Sequence, residues 1–169
     1  MASLADVPGV LIGIFHVIVL ILKSIVIFFV PKSLRYKEIT ERDVVLITGA
    51  GSGLGRQFAI KFAELGCKKL VLWDINDAGL EETKSIVEGS RYNGVRAWVY
   101  NVDVTLRNQV YETATRVKQD LSSSSFVTYL INNAGVVAGN DILELKDESI
   151  IKTFEVNAIS HFWVSISTI

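Results

Sequence analysis

An α/β fold wound on a parallel sheet is what this sequence predicts, and three observations predict it. Short apolar runs alternate with amphipathic stretches of helical length from position 44 onward. The first run, Val44-Val45-Leu46-Ile47-Thr48, passes directly into a glycine-rich turn, Gly49-Ala50-Gly51-Ser52-Gly53-Leu54-Gly55. The second run ends in an acid, Asp74, 19 residues beyond Gly55. Strands that alternate with helices need crossover connections, and right-handed crossovers bring successive strands parallel.

Each element follows in order. Val44–Thr48 reads as a buried strand, and a helix-forming run, Arg56–Leu65, comes after the glycine turn. Phe58, Ala59, Phe62 and Ala63 share one face of that helix, and Gly66 ends it. Lys69–Asp74 is the second strand, followed by a short helix through Leu80 and Val87. Ala97–Tyr100 is the third strand, leading into Asn101-Val102-Asp103-Val104. Val110, Ala114, Val117 and Leu121 then recur at helical spacing. Ser122–Ser125 is a polar connector. Phe126–Ile131 reads as the fourth strand and runs into Asn132-Asn133-Ala134-Gly135. A last helix from about Asp147 places Ile151, Phe154, Ala158, Phe162 and Ile166 on one face. About four strands result, with no internal repeat: half of a doubly wound sheet plus one further unit.

The glycine turn carries the chemistry. Glycines let the backbone approach a pyrophosphate, and the following helix N-terminus offers free N–H groups and partial positive charge. The pattern is T-G-x-x-x-G-x-G on Thr48, Gly49, Gly53 and Gly55, not G-x-G-x-x-G, because Leu54 occupies the last glycine position of that motif. Asp74 at the tip of the second strand can accept both ribose hydroxyls of an adenosine and would repel a 2′-phosphate. Neither Ser52 nor Ile75 supplies the cation that a 2′-phosphate requires. NAD is therefore expected in preference to NADP.

Before this region the chain is of a different kind. Half of its 169 residues are hydrophobic and the mean hydropathy is +0.38, with the excess concentrated in Val10–Val30. Nearly all of that run is Val, Leu, Ile or Phe, interrupted by His16 and Lys23. A central Lys costs about 3 kcal/mol on insertion scales, less than the apolar residues return, and its stem can snorkel. Two placements remain open: a helix that spans the bilayer, or one lying in the interface between Pro8 and Pro31. Either makes residues 1–37 an anchor with a basic flank, Lys32, Arg35 and Lys37, and leaves 38–169 as the folded domain. The positive-inside rule puts that flank and the domain on the cytosolic side. A cleaved signal peptide does not fit, since no Lys or Arg precedes the run. The single Cys67 cannot build a disulfide framework within the chain. Residues 38–169 carry a net −4, so a basic nucleic-acid footprint is not expected. No His/Cys/Asp cluster has metal-ligand spacing.

Thr48-Gly-x-x-x-Gly-x-Gly55, Asp74, Asp103, Asn132-Asn133-Ala134-Gly135 and Asn157 together resemble the short-chain dehydrogenases/reductases, in order and in context. Val71–Asn76, Lys152–Asn157 and His161-Phe162-Trp163 are similar to one membrane-associated branch. It holds the 17-beta-hydroxysteroid dehydrogenases of lipid droplets and the epidermal-type retinol dehydrogenases. The resemblance implies a Rossmann-type fold in which Gly49, Ser52, Gly53, Leu54 and Gly55 hold the pyrophosphate and neighbouring ribose. It implies that Asp74 binds the adenine ribose and that Asp103 and Val104 flank the adenine. Asn133, Ala134 and Gly135 would lie beside the nicotinamide ribose and brace the fourth strand. Asn157 would support a proton relay through a water molecule. It further implies a lipophilic alcohol or ketone substrate, retinoid- or steroid-like, at the endoplasmic reticulum or a lipid droplet, and allows a homodimer.

The same resemblance calls for a Ser and a Tyr-x-x-x-Lys beyond Asn157. The five tyrosines, at 36, 92, 100, 111 and 129, have Thr40, Arg96, Val104, Thr115 and Asn133 four residues on. None is Lys. The chain is thus expected to be the cofactor-binding half of a longer enzyme, either a truncated isoform or an incomplete gene reading, with its fourth strand left as an open edge. The rival expectation is an inactive, membrane-tethered fragment that holds NAD or pairs with a partner. Asp103 has a second reading as a helix N-cap. His161 is expected to be a packed, hydrogen-bonded residue, Cys67 a buried one, and Trp73 and Trp98 packing residues.

Overall fold

The computed structural model describes residues 7–29, 38–89, 91–121, 124–139 and 141–168. The basic flank Lys32, Arg35 and Lys37, Pro31, and Ser122 and Ser123 of the polar connector lie outside them. The chain forms two compact units, Met1–Glu38 and Ile39–Ile169.

The first unit holds a single described helix, α1 (Val7–Phe29). Its large side chains face outward: Phe28 is 77% exposed and Phe29 78%. His16 pairs its Nδ1 with the carbonyl of Ile12 at 2.9 Å, one turn back. Among the described residues no helix is long and apolar enough to cross a membrane. The spanning placement that the sequence allowed is thus not shown.

The second unit is a four-stranded parallel sheet with helices on both faces, a Rossmann-type architecture. Its elements are β1 (Val44–Thr48), α2 (Gly53–Glu64), β2 (Lys69–Asp74), α3 (Asp77–Val87), β3 (Arg96–Asn101), α4 (Arg107–Asp120) and β4 (Tyr129–Ile131). After a 3₁₀ turn (Ile142–Glu144) come α5 (Asp147–Phe154), a π-turn (Glu155–Ile159) and α6 (Ser160–Thr168). The strand order is β3-β2-β1-β4. Val44 pairs with Lys69 and Lys69 with Arg96, so β1, β2 and β3 begin level with one another.

β1 is central, and every residue from Val44 to Ile47 is fully buried. Because side chains alternate across a strand, Val44 and Leu46 join Val71, Trp73, Val110 and Val117 on one face. Val45 and Ile47 join Leu70, Leu72, Ala59 and Leu80 on the other. Burial on both faces explains why these strands read as unbroken apolar runs. Cys67 is buried, and burial is the main force that raises its thiol pKa above the ordinary value.

Four expectations need correction. The first helix begins at Gly53, not Arg56, so the second half of the glycine turn already forms its first turn. The fourth strand covers only Tyr129–Ile131. Phe126 is 72% exposed, and Thr128 meets Val44 of β1 both through its amide, which donates to the Val44 carbonyl at 2.9 Å, and through its hydroxyl, which accepts from the Val44 amide at 3.0 Å. As the sheet's edge, β4 is only half-buried.

The third concerns the last helix, whose apolar face is turned outward. Ile151, Phe154, Phe162 and Ile166 are 56–67% exposed. The buried set is Val156, Ser160, Val164 and Thr168, spaced every fourth residue. The stripe is exposed both before and after the π-turn at Glu155–Ile159, and small Ser160, whose hydroxyl donates to the Val156 carbonyl, faces the core. His161 also departs from expectation, because its buried Nε2 has no hydrogen-bond partner among the described residues.

Candidate functional site

In the order β3-β2-β1-β4 the chain moves outward through β2 and β3, then returns to lay β4 on the other side of β1. Such a reversal leaves a crevice beyond the carboxyl ends of the strands, where open α/β sheets bind ligands. A cleft of about 400 Å³ lies there.

Its floor is the glycine turn. Gly49 has φ 66° and Gly53 φ 50°, both in the left-handed region. A Cβ on Gly53 would meet nothing within 4 Å, so that backbone is open to an incoming group. Gly55 serves a different end. A Cβ there would fall 1.9 Å from the Gly49 carbonyl oxygen, so its bare backbone is what lets α2 start so close to β1. Gly55 therefore lies beneath the cleft and does not line it.

Asp74 ends β2 and accepts from the Gly51 amide at 2.8 Å through Oδ2 and from the Asn76 amide at 2.9 Å through Oδ1. Each carboxylate oxygen keeps a second acceptor site. Asp103, at the end of β3, closes a turn by accepting from the amide and hydroxyl of Thr105 at 2.9 and 2.7 Å. The cap position of α4 belongs to Leu106, not to Asp103.

On the far wall, Thr48 joins β1 to β4. Its hydroxyl oxygen accepts from the amides of Asn133 and Ala134, both at 3.0 Å. The Asn133 side-chain amide donates to the carbonyl of Thr48 at 2.9 Å and to that of Gly49 at 3.3 Å. Asn157 lies in the π-turn and clasps Val136. Its Nδ2 donates to the Val136 carbonyl and its Oδ1 accepts from the Val136 amide, each at 2.8 Å.

The structure thus gathers Gly49, Ser52, Gly53, Leu54, Asp74, Asp103, Val104, Asn133, Ala134 and Gly135 around one cleft. Gly55 and Asn157 act from behind it. Sequence reading missed Ile75, Val102, Val136, Val156 and Lys152, which also line it, and it gave Trp73 to packing alone. Lys152 brings the cleft's one described cation, and nothing near it in the sequence signals that place.

Arg56 was missed as well. It donates to the Gly51 carbonyl at 2.6 Å, to Thr83 Oγ1 at 3.0 Å and to Glu82 at 2.7 Å, gripping the turn from outside. Its side-chain partners Glu82 and Thr83 lie 26 and 27 residues away, so no local pattern could reveal that grip. Among the described residues no group of His, Cys, Asp or Glu could hold a metal ion.

The family model for short chain dehydrogenase matches residues 43–169, the whole of this sheet and its helices. The chain belongs to the short-chain dehydrogenase family. It is 43% identical over 156 residues to human 17-beta-hydroxysteroid dehydrogenase 13, covering 92% of this chain and 49% of that one. It is 45% identical over 148 residues to human estradiol 17-beta-dehydrogenase 11, covering 88% and 46%. This short-chain dehydrogenase therefore spans about half the length of the curated relatives it matches. Among solved structures, a short chain dehydrogenase/reductase from Burkholderia phymatum in complex with NAD is 33% identical. The match has a TM-score of 0.67 and covers 78% of this chain and 44% of that one.

Proposed function

We propose that this chain is the NAD-binding half of a short-chain oxidoreductase that acts on a lipophilic alcohol or ketone. The observation that carries the cofactor reading is Asp74, held by two backbone amides at the rim of a glycine-floored cleft. Its two remaining acceptor sites suit the paired hydroxyls of an adenine ribose, and its charge opposes a 2′-phosphate. In this reading Gly49, Ser52, Gly53 and Leu54 form the pyrophosphate cradle with Gly55 beneath it, and Asp103 and Val104 flank the adenine. Asn133, Ala134 and Gly135 border the second ribose. The cofactor supplies hydride chemistry when bound; these residues bind and orient it.

The substrate class rests on the likeness to 17-beta-hydroxysteroid dehydrogenase 13 and estradiol 17-beta-dehydrogenase 11. A second reading, cofactor binding without turnover by this chain, is favoured by two observations. No Tyr here has a Lys four residues on. Both side-chain ends of Asn157 are engaged with Val136.

The outward apolar side chains of α1 support membrane association. A contiguous exposed apolar surface of this kind marks a contact with lipid or protein. Lys23 lies beside Val19, Leu22 and Val26, where its stem can rest on the apolar side while its ammonium reaches the headgroups. We assign α1 to the surface of the endoplasmic reticulum or a lipid droplet, with the sheet unit in the cytosol.

Fluorescence titration of the full chain with NADH and NADPH tests the cofactor reading. NADH is expected to saturate, and NADPH to bind at least tenfold more weakly. Asp74→Ala should cost NADH about 10–100-fold, since hydrogen bonds to a charged group contribute about 1.5–3 kcal/mol. Equal affinity of the native chain for the two cofactors would overturn the assignment.

A further inference from the structure

A second cleft, of about 500 Å³, lies at the opposite end of the sheet, where the strands begin. Its walls carry Lys68, Lys69, which opens β2, and Arg96, which opens β3. Three cations converge there because the strands are parallel and in register, Lys69 facing Arg96.

What distinguishes this group is how the cations are held. Lys69 Nζ donates to the Ser125 hydroxyl at 2.9 Å. Lys68 Nζ donates to the backbone carbonyl of Asn93. Arg96 stacks on the Trp98 ring, 4.6 Å from its centroid. All three are thus positioned by neutral groups. The ion pairs among the described residues involve other side chains: Arg56, Lys61 and Arg91 with Glu64 and Glu82. Each lysine retains ammonium protons for a further acceptor, and the guanidinium keeps its fork of donors. Asp120 is the one carboxylate lining the cleft, and it accepts from the Tyr100 hydroxyl at 2.7 Å. With the carboxyl end of α4, worth about half a negative charge, it leaves the three cations in excess. The positions are ordered, and their charge is not neutralised.

The chain also enters the sheet unit at this end. Val44, the first residue of β1, pairs with Lys69.

We propose that this cleft docks the phosphate of an anionic phospholipid headgroup, on the same membrane that takes up α1. The proposal rests on the reading of α1 as a membrane-surface anchor. Docking there points the strand-beginning end of the sheet at the lipid and leaves the dinucleotide cleft, at the other end, open to the aqueous phase. A nucleic acid is a poor fit to the same charges, since the sheet unit as a whole is acidic.

The test is flotation of the full chain with vesicles of phosphatidylcholine alone and of phosphatidylcholine doped with phosphatidylserine. The native chain should partition to both and more strongly to the anionic ones. Each cation near an anionic surface strengthens binding ~fivefold. The double variant Lys68→Gln/Arg96→Gln should therefore lose about 25-fold on anionic vesicles and nothing on neutral ones. Arg107→Gln/Lys146→Gln removes the same charge at the opposite end of the sheet and should change little. Retention of the native NADH titration by the first variant shows that it is folded. Should it fail to fold, the single variant Arg96→Gln, at an exposed side chain, should lose ~fivefold on anionic vesicles alone.

Equal effects of the two double variants, or no anionic preference in the native chain, would overturn the proposal. Binding to anionic vesicles but not to neutral ones overturns the anchor reading of α1 and leaves the cleft assignment standing. Binding to neither overturns both. Calorimetry with inorganic phosphate in the absence of vesicles separates the two sources of the anion. Sub-millimolar saturation there would give the cleft to a free phosphate and overturn the lipid assignment.

Discussion

Gly55→Ala is expected to lower the thermal midpoint of the sheet unit by about 12 °C and to abolish saturable NADH binding. The new Cβ would sit 1.9 Å from the Gly49 carbonyl oxygen, 2.6 Å from its carbon and 2.7 Å from Asn133 Nδ2. Two of those atoms are backbone at the end of β1, and the third is fixed by hydrogen bonds to Thr48 and Gly49. None can yield without moving α2 away from the sheet. Overpacking of this severity costs about 3 kcal/mol, and a domain of this size loses about 4 °C for each. The measurement is a melting curve with a cofactor titration beside it. Gly53→Ala is the contrast: its Cβ meets nothing, and only the positive φ is strained. That change should cost about 1 kcal/mol, with weakened binding but a retained fold. A Gly55→Ala chain that melts with the native one would refute the close approach of α2 to β1.

Thr48→Val should cost about 2–4 kcal/mol, a loss comparable to that of Gly55→Ala but of different origin. Val fills nearly the same space, so packing is preserved and the hydroxyl alone is removed. Thr48 is 1% exposed, and its oxygen receives the Asn133 and Ala134 amides, both at 3.0 Å. The penalty comes from leaving those donors unpaired, not from losing the bonds as such. Urea denaturation should show a lower midpoint with an unchanged slope. Thr48→Ser, which keeps the hydroxyl and drops a methyl, should lose only about 1 kcal/mol. If Ser and Val prove equally damaging, the hydroxyl is not what joins β1 to β4.

The parts of the fold legible in the sequence are those in which cause and effect are neighbours. β1 and β2 are buried on both faces and read directly as apolar runs. The glycine turn and Asp74 follow them within a few residues, and the cleft forms where those signals placed it. Legibility fails where the outcome depends on a distant partner. The carboxyl ends of β1, β2 and β3 bring Val102 and Ile75 to the cleft, and α5 brings Lys152, yet none has a signature of its own. Arg56 meets Glu82 and Thr83 only because α3 folds back beside it. The last helix misleads for another reason. Helical periodicity shows that Ile151, Phe154, Phe162 and Ile166 share a face, not what covers that face, and the stripe is exposed on both sides of the π-turn.

The Thr48–Asn133 join also sets an order in time. β1 and β2 meet across 25 residues, Val44 to Lys69, whereas the hydroxyl of Thr48 meets the Asn133 amide across 85. Closing the longer loop costs about 1 kcal/mol more in chain entropy, so the far wall of the cleft is the later contact to form. At a ribosomal pace of about 5–20 residues per second, Thr48 waits roughly 4–17 s for its partner to be made. During that interval the nascent glycine turn has a floor and no wall. Cofactor affinity is in this sense acquired only after the first three strands have been made.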